Sequence, residues 1–437
     1  MSRPRVFAGW RVVAGSGFGI AFGSAVFASG GFAQLASAWG REFAWNQSQL
    51  AKAATIYLLL QMLTYPVFGA LLDRWGSRRV ASGSIVLFAL TLVGLSRIGD
   101  SLVQLYAAFA AIGLLSAGTN VVSYARALSL WFDRKRGLAL GLAASSQAVG
   151  AILIPIVAAK IIEASGWANA VLALAAVELV VCLPLVVWLV RDTPAAYGLL
   201  PDGAARAETP DAAAQGGLTV AFGPSRREIL RSPTFWKLAV SFAVMGLVTY
   251  ALSINIVYIL TKTSAMSVAQ IARLQALSGA AVLLGRIGFG VLLDRLRAPV
   301  VGIIALIVAA VAIAIYAAAP GTVALSVAAI LMGSSVGGES DLMPYLASRY
   351  FGTRALSSVF GWFLAAFFVG ASIGPTAFAA IATAQHSVVG ALYLLLGLLV
   401  VPAVLFLTVG RYPSALAAGS AAAPTAPPLG GVATAAR

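Results

Sequence analysis

Gly69-Ala-Leu-Leu-Asp73-Arg74-Trp-Gly76-Ser-Arg78-Arg79 closes one long apolar run, and Gly290-Val-Leu-Leu-Asp294-Arg295 closes another 221 positions later. Other features keep almost the same spacing. Gly141, Gly150 and Pro155 recur as Gly361, Gly370 and Pro375, each 220 positions on, and Trp131-Phe132 recurs as Tyr350-Phe351 at 219. A single coincidence of this kind is cheap. Three at nearly one offset, falling on matching apolar runs, indicate a duplicated unit.

The runs between these landmarks set the solvent. Hydrophobic residues make up 60% of the 437, charged residues 10%, and the mean hydropathy is +0.94. A soluble chain carries roughly 25% charged residues, so this one cannot clothe itself for water. In lipid each backbone polar group needs an internal partner, which leaves helices or a closed barrel. The runs are about 20 residues long and lack the dyad alternation of roughly 10-residue barrel strands. Helices are therefore expected near 9–33, 48–72, 80–97, 103–131, 137–162, 167–190, 235–260, 270–293, 299–319, 322–347, 356–382 and 388–410. This predicts an all-α membrane fold of twelve transmembrane helices, a six-helix half over 1–190 and another over 234–412. A Pro-punctuated linker spans 191–233, and an Ala/Pro/Gly-rich tail from 413 has little to bury and reads as disordered.

A formal charge of +15 raises the question of nucleic acid, but its distribution answers it. On this topology only Arg41, Lys52, Arg97, Lys160, Lys262 and Arg273 fall on external segments, Arg126 and Arg286 lie within spans, and the other bases are cytoplasmic. That is the positive-inside asymmetry. It places both termini and the linker in the cytoplasm, and the chain in the inner (plasma) membrane. The only cysteine, Cys182, allows no intramolecular disulfide and no thiol metal site. No metal, cofactor or nucleophile constellation stands out, and no Gly-Lys-Ser/Thr ending suggests ATP as the energy source. An uncleaved first helix, rather than a signal peptide, is the reading of the basic start.

Charges inside the spans are the candidates for function. Arg286 lies eight residues before Asp294, about 12 Å along a helix, near the middle of a hydrocarbon core about 30 Å thick. A charge there costs roughly 2.5–3.5 kcal/mol on insertion scales, and a guanidinium offers a two-toothed fork to a carboxylate. Its plainer role is an ion pair with a neighbouring acid. Glu339 and Asp341 sit at similar depth, two residues and so about 200° apart, so that at most one readily faces a cavity. Either can cycle a proton, or can simply pair with Arg286 or backbone. Asn120 and Tyr124 share a face at i, i+4, and Tyr345, Ser278, Asn255 and Tyr258 are weaker lining candidates. Arg126 and Glu178 have no assignment beyond pairing with each other, and His386 reads as a solvated loop residue.

The 69–79 stretch resembles the signature loop of the major facilitator superfamily, whose parallel-related halves match the repeat. The resemblance covers about 1–410. It implies that Gly69, Asp73, Arg74, Gly76, Arg78 and Arg79, with Asp294 and Arg295 in the second copy, latch one half against the other. Leu296 in place of the second glycine weakens the second copy. Within the superfamily, Trp131-Phe132-Asp-Arg-Lys-Arg136-Gly137-Leu-Ala-Leu-Gly141, the linker start Arg191-Asp-Thr-Pro194 and Arg286 four residues before Gly290 are similar to bacterial monocarboxylate porters and oxalate/formate antiporters. In those families an eighth-helix arginine binds substrate carboxylate, and tyrosines near Tyr124 contact the anion. Two departures matter. Val282 stands where mammalian monocarboxylate porters carry Asp, and no Lys follows Lys262, so the eleventh span lacks the second cation of the antiporters. The expectation is a monomeric secondary transporter of a small organic anion, a monocarboxylate, coupled to protons by alternating access. Efflux of amphipathic compounds and a non-transporting anion receptor are the rivals. An enzyme is not expected.

Overall fold

The computed structural model describes residues 7–203, 223–264, 266–318 and 321–413. Among them every regular element is helical. We number the membrane helices α1 (Gly9–Glu42), α2 (Gln47–Trp75), α3 (Ser77–Leu95), α4 in two pieces (Leu102–Leu115 and Val121–Trp131), α5 (Arg136–Ser165) and α6 (Trp167–Leu189). The second half runs α7 (Pro233–Thr263), α8 (Val268–Arg295), α9 (Ala298–Ala318), α10 (Thr322–Phe351), α11 (Leu356–Ala384) and α12 (Val388–Thr408).

Eleven of these are long and apolar enough to cross a membrane, and α4, in two shorter pieces, is the twelfth. The expected uninterrupted span 103–131 is broken by a 3₁₀ turn at Ala117–Thr119, with Asn120 extended at φ −94°, ψ 176°. Facing it, α1 breaks at Gly23, which is extended at ψ 170°. The two breaks satisfy each other: Ser24 N–H donates to Thr119 Oγ1 (3.0 Å) and Ala25 N–H to Asn120 Oδ1 (3.2 Å). Freed backbone groups are tolerated at membrane depth only when protein groups replace the lost partners.

Within the first half α1 packs on α5 and α2 on α4, and within the second α7 packs on α11 and α8 on α10. Two seams join the halves, α2 against α11 and α5 against α8. Small residues let these backbones touch. A Cβ on Gly69 would strike the Ser357 carbonyl, and one on its repeat partner Gly290 the Gly137 carbonyl. Of the linker, two 3₁₀ turns and the short helix Arg226–Arg231 are described, while 204–222, and 414–437 of the expected tail, lie outside the described residues.

Candidate functional site

Two aspartates tie the seams at the end of the bundle where the repeated motif sits, here called the basic rim. Asp73, near the end of α2, accepts from Ser357 N–H (3.0 Å), Ser358 N–H (2.9 Å) and the Ser358 hydroxyl (2.6 Å) at the start of α11. Asp294 accepts from Gly137 N–H (2.6 Å) and Leu138 N–H (2.9 Å) at the start of α5. In both cases an acid on one half caps a helix N-terminus of the other, where orphan N–H groups and the helix dipole favour negative charge. The glycine that distinguishes the copies concerns the chain's turn instead. Gly76 has φ +85°, whereas its 221-residue counterpart is Arg297 rather than Leu296, and α8 ends one repeat position earlier with Leu296 extended at φ −116°. Losing that glycine leaves the second cap intact.

The bases around the rim differ from those the motif implies. Arg74, Arg79 and Arg295 are exposed and make no ion pair among the described residues, and Arg78 offers its backbone N–H to Asp192 (3.1 Å). Asp73 instead has Arg126 and Arg226 at 3.8 Å. This corrects the pairing of Arg126 with Glu178: Glu178 is buried in α6, and neither of its carboxylate oxygens has a hydrogen-bond partner among the described residues. A further cross-link has no copy. Arg349 donates to Asp133 Oδ1 (3.0 Å) and to the Asp133 carbonyl (3.1 Å), and Gly352 occupies the repeat position of Asp133. Tyr345 belongs here too, its hydroxyl 3.3 Å from Arg349 and outside the central cavity.

Above the rim, between the seams, lies a cavity of about 410 Å³ lined by both halves. On the first half its wall is neutral. Tyr57 and Tyr65 both donate to Gln61 Oε1 (2.9 and 3.1 Å), while Gln61 Nε2 and Asn120 Nδ2 reach Ser24 Oγ (3.2 and 3.3 Å). On the second half it is charged. Arg286, 8% exposed, lines the cavity, donates from Nη2 to Gln147 Oε1 (3.1 Å) and lies with Nη1 3.8 Å from Asp341 Oδ1. Nη1 has no hydrogen-bond partner among the described residues.

Neither acid of α10 lines the cavity itself. Asp341 stands behind Arg286. Glu339 stands behind Thr249, a lining residue whose hydroxyl donates to Glu339 Oε2 (2.9 Å). Helical geometry sends the two in different directions, and each meets the cavity through one intermediary. Asn120 lines the cavity, but Tyr124 does not. A shared face at i, i+4 requires one continuous helix. Because Asn120 sits in the break, Tyr124 turns into the packing against Gly19 of α1, fully buried. Gln147, Gln61 and Thr249 escaped the sequence reading, since a lone amide or hydroxyl in a membrane helix looks like any packing residue.

The repeat relates the two walls. At the 221-residue offset Tyr65 falls on Arg286, and at 219 Asn120 falls on Glu339. Equivalent positions thus hold a neutral network in one half and charge in the other.

Twelve helices in two related halves, joined at one end below a shared, largely apolar cavity with a few polar groups, define a multi-pass membrane transporter. The sequence profile of the Major Facilitator Superfamily matches residues 17–375, and the chain belongs to that superfamily. Monocarboxylate transporter 11 of Mus musculus is 35% identical over 132 residues, 30% of this chain, and the chain covers only 29% of that transporter's length. The uncharacterized 38 kDa protein in the 23S RNA operon of Thermoproteus tenax is 29% identical over 353 residues, covering 79% of this chain and 81% of that one. Among solved structures, the human organic anion transporter MFSD10 (TETRAN) superposes with a TM-score of 0.68 at 14% identity, over 92% of this chain and all of that one. The E. coli fucose:proton symporter gives 0.61 at 14% identity, over 92% and 98%. At such identities these likenesses speak to the fold.

Proposed function

We propose that the chain is a secondary active transporter of a small organic anion, a monocarboxylate, coupled to protons. The observation that carries this is Arg286. The guanidinium lines the cavity and its contact with Asp341 is long, a buried Nη1 at 3.8 Å with no hydrogen-bond partner among the described residues, so a substrate carboxylate that draws the fork toward the cavity displaces no tight pair. Partial likeness to monocarboxylate transporter 11 supports the anion, though likeness to fungal proteins that include the Fujikurins efflux protein keeps export open as a direction.

In this reading the basic rim faces the cytoplasm, as the excess of bases there favours, and the sealed rim leaves the cavity to the other side. A substrate carboxylate settling on Arg286 competes with Asp341, which takes up a proton as it loses its partner. Glu339 can exchange a proton with the cavity through the Thr249 hydroxyl. Parting of the rim then requires the Asp73 and Asp294 caps to break, and the halves rock about the seams.

Proteoliposomes offered labelled carboxylates with and without a pH gradient test the proposal. Uptake of a monocarboxylate accelerated by an inward proton gradient is expected. Asp341→Asn or Glu339→Gln should remove that acceleration while exchange of substrate persists. Uptake indifferent to pH in the wild type would rule out proton coupling, and uptake of cations in preference to anions would favour efflux of amphipathic compounds.

A further inference from the structure

The α5–α8 seam bears Gln147 and Arg286 on the cavity, and the repeat offsets of 220 and 221 carry this pair to Phe367 and Tyr65 on the α2–α11 seam, with Phe368 the next residue along. There the Tyr65 and Phe368 rings stack across the two halves, centroids 5.8 Å apart and 14° from parallel. Tyr250 of α7 meets Phe368 and Phe367 edge-on at 6.2 and 6.1 Å, and Phe367 meets Phe368 at 5.7 Å and 88°. Tyr250, Phe367 and Phe368 are each only partly buried, so this cluster has ring surface left to offer the cavity. One seam therefore presents a cation and an amide, and the other presents rings.

Size points the same way. A three-carbon acid takes up about as much room as four waters, each about 30 Å³ of liquid. It would leave most of a 410 Å³ cavity unfilled, a volume in the range of pockets for ligands of drug-like size, about 300–1,000 Å³.

We infer that the preferred substrate is an aryl-substituted monocarboxylate, its carboxylate on Arg286 and its ring against the Tyr65–Phe368–Tyr250 wall. The inference rests on the anion reading of Arg286 and adds the second recognition element. Ring–ring contact favours offset or edge geometry and adds to the gain from burying apolar surface. Arg286, Phe368 and Tyr250 belong to the second half and Gln147 and Tyr65 to the first, so a ligand that spans the cavity touches both seams and both halves, as a molecule carried by rocking halves must.

The test is titration of the full-length protein in lipid nanodiscs with phenylacetate, lactate and phenylacetamide. Phenylacetate should bind at least about tenfold tighter than lactate. Phe368→Leu keeps an apolar side chain but removes the ring; with thermal unfolding measured alongside, it should weaken phenylacetate several-fold and lactate far less. Equal affinities for lactate and phenylacetate, or an equal loss of both in Phe368→Leu, would overturn the aryl preference while leaving the anion reading standing. Phenylacetamide binding as well as phenylacetate would instead overturn the role of Arg286. Failure of both acids to bind would overturn both.

Discussion

Asp73 and Asp294 stand 221 residues apart and make the same contact, whereas Tyr65 and Arg286, at the same separation, make quite different ones. The rim kept its duplication because its task is symmetric: each half must grip the other, and two caps placed about one pseudo-two-fold axis close one end evenly. The cavity wall has no such task. A ligand with a single charged group lacks two-fold symmetry, so it needs a cation on one side only. A second buried guanidinium would add insertion cost with nothing to pair it. Divergence between equivalent positions is thus a pointer to where an asymmetric ligand sits, and it is independent of the depth argument that first singled out Arg286.

The sharpest way to break the symmetric part of this comparison is to remove both caps. Each is a charge-assisted N-cap of the kind worth about 0.5–2 kcal/mol, so Asp73→Ala with Asp294→Ala should release up to about 4 kcal/mol of inter-half attraction. Spin labels on cysteines replacing Trp75 and Leu296, both exposed at the rim, read the result as a distance distribution. Cys182 is buried and stays unlabelled. The double variant should move the distribution to longer distances. Asp73→Ala alone should do more than Asp294→Ala alone, since Asp73 accepts three hydrogen bonds and Asp294 two. An unchanged distribution would mean that the caps do not hold the rim.

A smaller effect sharpens the asymmetric part. Gln147 holds Nη2 of Arg286, and a neutral partner of this kind contributes about 0.5–1.5 kcal/mol. Gln147→Ala should therefore weaken carboxylate binding about 2- to 10-fold, measured by the same titration, and leave the rim distances alone. Loss of rim closure in that variant would show the two regions to be coupled rather than separable. The smallest effect belongs to Arg295→Ala. An exposed base without an ion pair should shift the rim equilibrium by no more than about 0.5 kcal/mol, and a large shift would restore to it the latch role its motif implies.

Much of this was legible in the chain because lipid leaves few choices. Twelve runs of spanning length, a repeat at one offset and a skewed set of bases specify the fold class with no detailed packing argument. Arg286 stood out for a related reason: a midplane charge is costly enough to be noticed. What stayed hidden depends on local breaks and on neutral residues. Ser116-Ala-Gly118-Thr119-Asn120 is small and polar enough to turn, yet such residues also line ordinary helix contacts, so the interruption of α4 and the resulting displacement of Tyr124 could not be read from it. The partner of Arg126 depended on which helices meet at the rim, a tertiary fact. Tyr65 and Phe367 carry no signal of their own in the sequence, and only the repeat sets them against Arg286 and Gln147.

The central claim is that Arg286 binds the carboxylate of the substrate, and affinity decides it. Carboxylate titration of purified, folded wild type should be compared with Arg286→Gln and Arg286→Lys, with protein yield and thermal unfolding measured alongside because truncation strands Asp341. A charge-assisted pair worth about 1.5–3 kcal/mol predicts a loss of roughly 10- to 150-fold in Arg286→Gln. Arg286→Lys keeps the charge without the planar fork and should fall between the two. Equal affinities in wild type and a well-folded Arg286→Gln would make Arg286 a structural partner of Asp341, and the anion reading would fall with it.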